Sequence, residues 1–320
     1  MDPILLLASL MVASTPILLA SLGELVVERS GVLNLGVEGM MITGAITGFA
    51  AGVATNSALL GFVGAAAGGA ALSLLFAVLV LWLRSNQVAT GLALTLFGLG
   101  VAALVGQSYN GIRAPAMPDF RIPLLADIPV LGPILFRHDL VVYLGLALVA
   151  GVWWFLNRSR AGLTLRAVGE NHDAAHALGY KVLRLRLLAI LFGGACAGLG
   201  GAYLSLVRVP QWTEGVTAGA GWIALAIVVF ASWRPLRLLL GAWLFGGISY
   251  LQLNLQAADV RLGFSLFGSR WELPADLQTL LFASAPYLVT ILVLVLISSG
   301  KGRAALAAPG SLGQPFHASR

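Results

Sequence analysis

The feature of this chain that most limits its possible folds is a series of long apolar segments. A hydrocarbon core about 30 Å thick needs about 20 apolar helical residues to cross it, and nine segments meet that criterion. They cover residues 4–27, 31–54, 57–83, 87–106, 139–156, 187–207, 217–233, 237–255 and 278–298. Because backbone polar groups in lipid must be satisfied inside the protein, the pattern predicts an all-α, polytopic transmembrane helical bundle of about nine spans, within a range of eight to ten.

The composition agrees with a membrane protein and excludes an ordinary soluble domain. The chain is 59% hydrophobic and 10% charged, whereas soluble domains carry about 25% charged residues. Its 39 glycines fit helices that pack closely in lipid. The glycine-rich segments 31–54 and 217–233 are predicted to be broken or re-entrant. The single cysteine, Cys196, excludes an internal disulfide.

The basic residues predict which side of the membrane each loop faces. Residues 158–186 form a polar stretch with six of the 19 Lys and Arg residues, and short basic loops lie in the cytosol. With that orientation, 13 of the 19 lie inside, so sidedness rather than nucleic-acid binding explains the net charge of +6. We expect a transmembrane domain at 1–300 with a cytosolic loop at 158–186, an external N-terminus, and a short disordered cytosolic tail at 301–320.

The centre of the basic loop carries small residues, Asp173-Ala174-Ala175, followed by Gly179. Small side chains let the surface of another protein approach closely, so we interpret this stretch as a docking site. No Gly-x-x-x-x-Gly-Lys-Ser/Thr motif is present, and Ser299-Gly300-Lys301-Gly302 lacks the hydroxyl that would bind magnesium. The chain therefore has no P-loop of its own. The pattern indicates that this chain is a transport subunit and not an enzyme, and that another protein supplies the energy for transport.

The loop also allows another interpretation, an enzyme with a metal site. His172 and His176 are four residues apart with an acid between them, as in zinc proteases. The acid is Asp173 rather than glutamate, and a catalytic zinc normally has three protein ligands. The other histidines, His138 and His317, lie on the opposite side or in the tail. An exposed, solvated helix is the favoured interpretation, and we expect no metal.

Two acidic residues open small-residue-rich segments. Asn34 and Glu38 are four residues apart and are expected to share a helix face. Glu38 enters an apolar span, where an ionisable residue is either a functional site or a pinned interfacial helix start. Glu214-Gly215 repeats the Glu38-Gly39 pattern in a span of opposite direction. Inverted repeats with broken helices would produce such a repeated Glu-Gly pattern. Chance would also produce it.

Several segments resemble the inner-membrane permeases of bacterial ABC importers in the branched-chain amino acid, ribose and nucleoside superfamily. The nucleoside (simple-sugar) subgroup is the nearest likeness. The resemblance extends over about residues 20–300 and rests on these stretches: Glu28-Arg29-Ser30-Gly31-Val32-Leu33-Asn34-Leu35-Gly36-Val37-Glu38-Gly39-Met40-Met41, Asn86-Gln87-Val88-Ala89-Thr90-Gly91-Leu92-Ala93-Leu94, Arg166-Ala167-Val168-Gly169-Glu170-Asn171 through Gly179, and Thr213-Glu214-Gly215 through Gly219. Asp173-Ala174-Ala175 with Gly179 is similar to the Glu-Ala-Ala…Gly coupling element of such permeases.

This resemblance implies a multi-pass protein of the bacterial inner membrane, surrounded by lipid, with a cytosolic C-terminus. It implies three protein partners: a cytosolic ABC ATPase that binds ATP and Mg²⁺, a second homologous permease, and an extracytoplasmic solute-binding lipoprotein. No cofactor is expected on this chain. The expected ATPase-coupling residues are Gly169, Asn171, Asp173, Ala174, Ala175 and Gly179. The candidate substrate-pathway residues are Asn34, Glu38, Asn86, Thr90, Trp212 and Glu214.

The leading hypothesis is therefore the translocation subunit for a small polar solute, most specifically a nucleoside. The sequence departs from the subgroup at Thr95, Ala220 and Ala231, which leaves a ribose-like sugar or another heterocycle open. Trp212 has two interpretations, a residue that stacks on the solute or an aromatic of the membrane interface. The alternative hypothesis is an ion-coupled secondary transporter that uses Glu38.

Overall fold

The computed structural model describes residues 3–121, 126–258, 263–266, 269–272, 274–299 and 308–317. The helices within those ranges are α1 (Pro3–Arg29), α2 (Val37–Thr55), α3 (Ala58–Ala77), α4 (Gln87–Gly106), α5 (Leu131–Leu135), α6 (Leu140–Arg158), α7 (Arg160–Glu170), α8 (His172–Ala177), α9 (Val182–Ala202), α10 (Ala220–Phe230), α11 (Pro235–Ala257) and α12 (Ala275–Ser299). Two π-helical segments, Val78–Trp82 and Tyr203–Arg208, extend α3 and α9, and the 3-10 turn Gln107–Tyr109 extends α4.

The predicted helical membrane bundle is confirmed in its main architecture. Among the described residues, seven helical stretches are long and apolar enough to cross a membrane. They are Leu7–Arg29, Val37–Thr55, Ala58–Trp82, Gln87–Tyr109, Leu140–Arg158, Val182–Arg208 and Pro235–Ala257. The predicted span 278–298 falls within α12, which has 25 residues. The predicted span 217–233 contains only the 11-residue α10, about 16 Å of helix, which is too short to cross.

Two short pairs of strands accompany the helices of the predicted all-α bundle. Strands β1 (Asp119–Arg121) and β2 (Arg137–Asp139) form an antiparallel pair, and so do β3 (Gly263–Leu266) and β4 (Ser269–Glu272). Both pairs lie in connections between helices. A ladder of this kind satisfies backbone N–H and C=O groups that a long connection would otherwise leave without partners.

The helices run between two ends of the bundle. The basic end carries the C-terminus of α1 and the α7–α8 connection, together with the turn between α10 and α11, where the Arg29 guanidinium donates to the Trp233 carbonyl. The opposite end carries the β1–β2 ribbon and the connection from α9 to α10. Phe49, near the end of α2, lies there against Tyr109 and Trp212.

Helix α9 packs against α1, α2 and α3 through glycines. A side chain on Gly44 of α2 would collide with the Gly198 backbone, and one on Gly69 of α3 would collide with the carbonyl of Gly194. On α1, a methyl group at Gly23 would lie 2.7 Å from the Gly193 oxygen. Small residues at these contacts let the helix backbones approach closely, as membrane bundles require in the absence of a hydrophobic drive between helices.

The chain between α1 and α2 turns back into the bundle instead of continuing as a helix. We call residues 30–36 the re-entrant segment. Its Asn34 N–H donates to Glu24 Oε1 over 3.2 Å, so Asn34 lies beside a residue of α1 more than one turn before the helix ends. The segment is buried or half-buried throughout. Non-helical backbone at membrane depth is tolerated where protein covers it.

Candidate functional site

The predicted coupling element, residues 169–179, contains a short helix that is fixed at both ends. The side chain of Asn171 caps α8 by accepting from the Ala174 N–H over 2.9 Å. At the other end, Gly179 N–H donates to the His176 carbonyl and Tyr180 N–H to the Ala175 carbonyl, at 2.8 and 3.1 Å. This pair of bonds is a Schellman motif. The sequence Asn171…Gly179 therefore defines the beginning and end of the helix.

The backbone conformation at position 179 explains why the residue there is glycine. Its φ is +85°, in the left-handed region that L side chains disfavour, and a side chain there would meet no other atom within 4 Å. Conformation rather than space therefore requires glycine.

The outer face of the coupling element is available to another molecule. Asp173 and Ala174 are exposed, whereas Ala175 is buried beneath them. Directly after the helix, Leu178 is 77% exposed and Tyr180 is 43% exposed. A small-residue helix followed by two exposed apolar side chains is a surface suited to insertion into a cleft of another protein.

The inner face of the element packs on the end of α1. Gly169 lies against the backbone carbonyl of Arg29, and any side chain at 169 would collide with that carbonyl. Gly31, at φ +86°, leaves room for the Arg186 guanidinium, which would be 2.8 Å from a methyl group at this position. The predicted residue Gly169 is therefore a close backbone contact between α7 and α1, and not part of the exposed face.

A buried arginine at the start of α9 holds this inner face together. Arg186 is 1% exposed. Its Nε donates to the Ser30 carbonyl over 3.1 Å, and its Nη1 donates to the Gln314 carbonyl over 3.1 Å. Its Nη2 is 3.2 Å from Nδ1 of His172. One guanidinium thus joins the re-entrant segment, the coupling element and the C-terminal residues.

The sequence predicts a disordered tail at 301–320, of which the structure describes residues 308–317; residues 301–307 and 318–320 lie outside the described residues. Residues 308–317, which we call the C-terminal strap, lie across the inner face of the coupling element. Ser311 N–H donates to the Gly169 carbonyl over 2.8 Å, and the His172 N–H donates to Ser311 Oγ over 3.2 Å. The ring of Phe316, 7% exposed, packs with Val168, Ala175 and Val182. The polar composition of this tail concealed its packing, because most of its bonds use backbone atoms.

The histidine pair of the metal interpretation is part of this packing. The ring centroids of His172 and His176 lie 5.4 and 5.2 Å from that of Phe316, both edge to face. Burial lowers the pKa of His172, and the nearby Arg186 guanidinium lowers it further. A neutral imidazole can accept from Arg186. Within the ranges that the structure describes, no three His, Cys, Asp or Glu residues gather as metal ligands.

Glu38, at the start of α2, binds the start of α10. Its Oε1 accepts from Thr217 Oγ1 over 2.5 Å and from Gly219 N–H over 3.0 Å, and its Oε2 accepts from Gly221 N–H over 2.7 Å. The carboxylate is 5% exposed. A negative charge at a helix N-terminus is favourable, and here it lies between the N-termini of two helices.

The two helices that meet at Glu38 run apart from one another. Helix α2 leads from Glu38 to Phe49 at the opposite end. Helix α10 leads to Trp233 at the basic end, where the Trp233 indole donates to Glu28 Oε2 over 2.5 Å. Segments 31–54 and 217–233 therefore each begin with non-helical backbone, and the helices that follow, α2 and α10, meet at their N-termini within the bundle. This arrangement agrees with the expectation that both segments are broken or re-entrant.

Asn34 does not share a helix face with Glu38, so that expectation was wrong. Helix α2 begins at Val37, and Asn34 precedes it in the re-entrant segment. Its Oδ1 accepts from the Gly36 N–H over 2.9 Å, and its Nδ2 lies 3.3 Å from the sulfur of Met40. The side chain of Asn34 is fully buried and shapes the turn into α2.

Asn86 and Thr90 lie at the basic end of α4 and not beside Glu38. Asn86 caps α4 by accepting from the Ala89 N–H over 3.0 Å, and the Thr90 hydroxyl is 2.8 Å from that of Ser85. Their neighbour Gln87 does reach the re-entrant segment, since its Oε1 accepts from Leu33 N–H over 2.8 Å, and further along α4 the Thr95 hydroxyl donates to the Leu35 carbonyl over 3.2 Å.

Trp212 and Glu214 lie in the non-helical connection from α9 to α10. Trp212 is 4% exposed and is packed against Gly106, where any side chain would collide with the indole. Glu214 is exposed, as are Thr213 and Gly215.

Sequence reasoning missed Arg186, Thr217 and the strap. Arg186 is among the loop charges in the sequence because it directly precedes the predicted span 187–207, whereas in the structure it lies one turn into α9. The signal that Phe316 offered is a large aromatic residue in a polar tail.

Comparison with known proteins gives consistent matches. A family model described as the permease component of branched-chain amino acid transport systems matches residues 6–298. A putative glucose ABC transporter permease protein, TsgC13 of Haloferax volcanii, is 42% identical over 95% of both chains. The guanosine ABC transporter permease protein NupQ of Bacillus subtilis is 33% identical over 89% of both. The nucleoside ABC transporter permease protein NupC of Lactococcus lactis is 32% identical over 91% of this chain and 92% of its own. No solved structure matches.

Proposed function

The chain belongs to the permease family of branched-chain amino acid transport systems, within its sugar and nucleoside ABC permeases, and from this premise we propose that it forms the import pathway for a nucleoside. It is a multi-pass inner-membrane protein, and the resemblance found in its sequence is confirmed. In the proposal the basic end faces the cytosol, and the opposite end receives solute from an extracytoplasmic lipoprotein.

The exposed coupling element is the observation that supports transport powered by a separate ATPase. Its small residues Asp173 and Ala174, and the protruding Leu178 and Tyr180, would fill a cleft in a cytosolic ATPase, which binds ATP and Mg²⁺. Closure of the ATPase pair would then displace α8. Because Gly169 lies directly against the Arg29 carbonyl, a displacement of the element is passed to the end of α1 by hard contact.

The observation that supports the proposed pathway is the exposed non-helical backbone at 213–215. It lies at the end of the bundle opposite the basic end and leads to Gly219, which bonds to Glu38 within the bundle. Thr213, Glu214 and Gly215 are exposed there. Non-helical backbone is tolerated in a membrane protein where it lines a water-filled cavity, which supports a solute pathway that this segment lines and that a second, homologous permease closes.

Two permease relatives named for guanosine and nucleoside support a nucleoside as the solute. A sugar is the second candidate, because the relative that is 42% identical is named a putative glucose permease. The ion-coupled alternative receives no support, since both oxygens of Glu38 accept hydrogen bonds from protein donors.

The test is uptake by the complete importer, assembled from this chain and the ATPase, second permease and binding protein of its own genome. Labelled guanosine, uridine and glucose are compared, each with excess unlabelled competitor. ATP-dependent uptake of nucleosides that glucose does not compete for is the expected result. If glucose is taken up and the nucleosides are not, the solute is a sugar and the nucleoside proposal is wrong. Uphill transport by this chain alone in vesicles with an ion gradient would contradict the whole proposal.

A further inference from the structure

We propose that the C-terminal strap is a working part of the coupling apparatus: it holds the coupling element against the re-entrant segment, so that a displacement of α8 reaches α2. The inference rests on the proposed function, because it requires an ATPase that moves α8. It assigns a role to residues 308–317, which lie outside the segments that carry the resemblance and outside the matched range of residues 6–298.

The strap grips the coupling element on the side away from the proposed ATPase. Ser311 binds the Gly169 carbonyl and the His172 N–H, at 2.8 and 3.2 Å. The Phe316 ring covers the face that contains Ala175. Leu178, at the tip, stays 77% exposed. The strap and a docked ATPase would therefore hold opposite faces of the same short helix.

Arg186 connects this grip to the re-entrant segment. Its planar guanidinium reaches the Gln314 carbonyl of the strap, the Ser30 carbonyl and His172 Nδ1 at once, at 3.1, 3.1 and 3.2 Å. The group is buried, so water cannot replace a lost acceptor without rearrangement. Because the N–H donors of a planar guanidinium have a fixed geometry, the strap, the re-entrant segment and the coupling element should move together.

A second link runs through α4. The Gln314 carbonyl also accepts from Gln87 Nε2 over 3.5 Å, and Gln87 Oε1 accepts from Leu33 N–H over 2.8 Å. Ser30 and Leu33 are both in the re-entrant segment, which leads directly into Val37 and Glu38. The contacts thus form a continuous route from α8 to the junction of α2 with α10.

The strap has its own folded form, which makes it a defined element and not a loose end. Gln314 N–H donates to the Ser311 carbonyl over 3.1 Å, and Leu312 N–H donates to the Pro309 carbonyl over 3.0 Å. Gly313 supplies the positive φ of 75° that this double turn needs.

The experiment compares two truncations in the complete reconstituted importer. One chain ends after residue 307 and lacks the strap, and the matched control ends after residue 317 and keeps it. Uptake, ATP hydrolysis and co-purification of the ATPase are measured for both. Removal of the strap is expected to leave co-purification intact and to raise the ATP hydrolysed per solute transported by about fivefold or more.

A purely structural role predicts a different result. If removal of the strap only reduces the number of intact importers, uptake and ATP hydrolysis fall together and their ratio stays unchanged. That outcome would overturn the proposal. Loss of ATPase binding would also overturn it, because the strap would then be a docking element. If the shorter chain does not accumulate, Phe316→Ala carries the same test: a raised ratio supports the proposal and an unchanged ratio rejects it. Failure of the full-length chain to bind any ATPase would reject the proposed function instead.

Discussion

Arg186 at the basic end and Glu38 at membrane depth are both buried charged groups with three hydrogen-bonding partners, but the partners differ in kind. Glu38 receives all its bonds from one short stretch, residues 217–221, at the start of α10. Arg186 donates to three segments that are far apart along the chain, through Ser30, His172 and Gln314. The first arrangement fixes one helix end, and the second ties together several elements.

The difference teaches how a membrane bundle can use a buried charge in two ways. A carboxylate that caps a broken helix satisfies backbone donors that lipid could not satisfy, so its loss should damage the fold. A guanidinium that bridges separate segments should affect how those segments move together, with a smaller effect on the fold. The following substitutions separate these two effects.

The largest effect is expected for Glu38→Ala. Removal of the carboxylate leaves the Thr217 hydroxyl and the N–H groups of Gly219 and Gly221 without their acceptor. We expect the free energy of unfolding to fall by roughly 3–5 kcal/mol, measured by thermal or denaturant unfolding in detergent. Glu38→Gln keeps one acceptor oxygen and should lose about 1–2 kcal/mol. Equal stability of the Ala variant and the wild type would refute the capping role.

Arg186→Lys should have the next largest effect. Lysine keeps the positive charge but is a single point donor that cannot replace a planar fork. We expect a loss of about 1–3 kcal/mol from the acceptors left unsatisfied, with a raised ratio of ATP hydrolysed to solute transported. That ratio is measured in the reconstituted importer. If the ratio rises for Glu38→Gln and stays at the wild-type value for Arg186→Lys, the comparison between the two charges is reversed.

Gly179→Val tests the tip of the coupling element. A β-branched residue at φ +85° is strained by about 1–2 kcal/mol, so the turn that presents Leu178 and Tyr180 should change shape. Uptake is expected to fall while the level of the protein in the membrane stays near normal. Gly179→Asn is the matched control, since asparagine tolerates the left-handed region. Normal uptake and normal ATPase association in the valine variant would count against the docking role.

The smallest effect is expected from pH, through His172. Its pKa is lowered by burial and by Arg186, with Asp173 opposing and His317 adding to the shift. The folded state therefore favours the neutral ring. This contribution to stability is complete above the unfolded value of about 6.5 and is lost as pH falls through the lowered folded value. His172→Asn keeps an acceptor but does not titrate, so its unfolding temperature should depend less on pH. Identical pH profiles for the two proteins would show that His172 contributes nothing.

The coupling element shows how far local sequence can lead. Asn171 and Gly179 define the ends of α8 through side-chain capping and a left-handed glycine, and both rules act within a few residues. The break in segment 217–233 was likewise indicated by its glycines. Hydropathy could not locate the break in segment 31–54, because the bond from the Asn34 N–H to Glu24 depends on how the segment folds back on α1.

The amino-acid sequence by itself determined that this chain is a helical membrane protein with a basic loop suited to docking. Those features depend on hydropathy, charge and turn chemistry, which are local properties. Only the tertiary structure decided that Glu38 caps α10 and that Arg186 holds the C-terminal strap. Gly221, a partner of Glu38, is 183 residues away along the chain, and Gln314, the strap partner of Arg186, is 128 residues away. A buried polar group takes whichever partner the packing brings within about 3 Å, and sequence spacing alone does not reveal that partner.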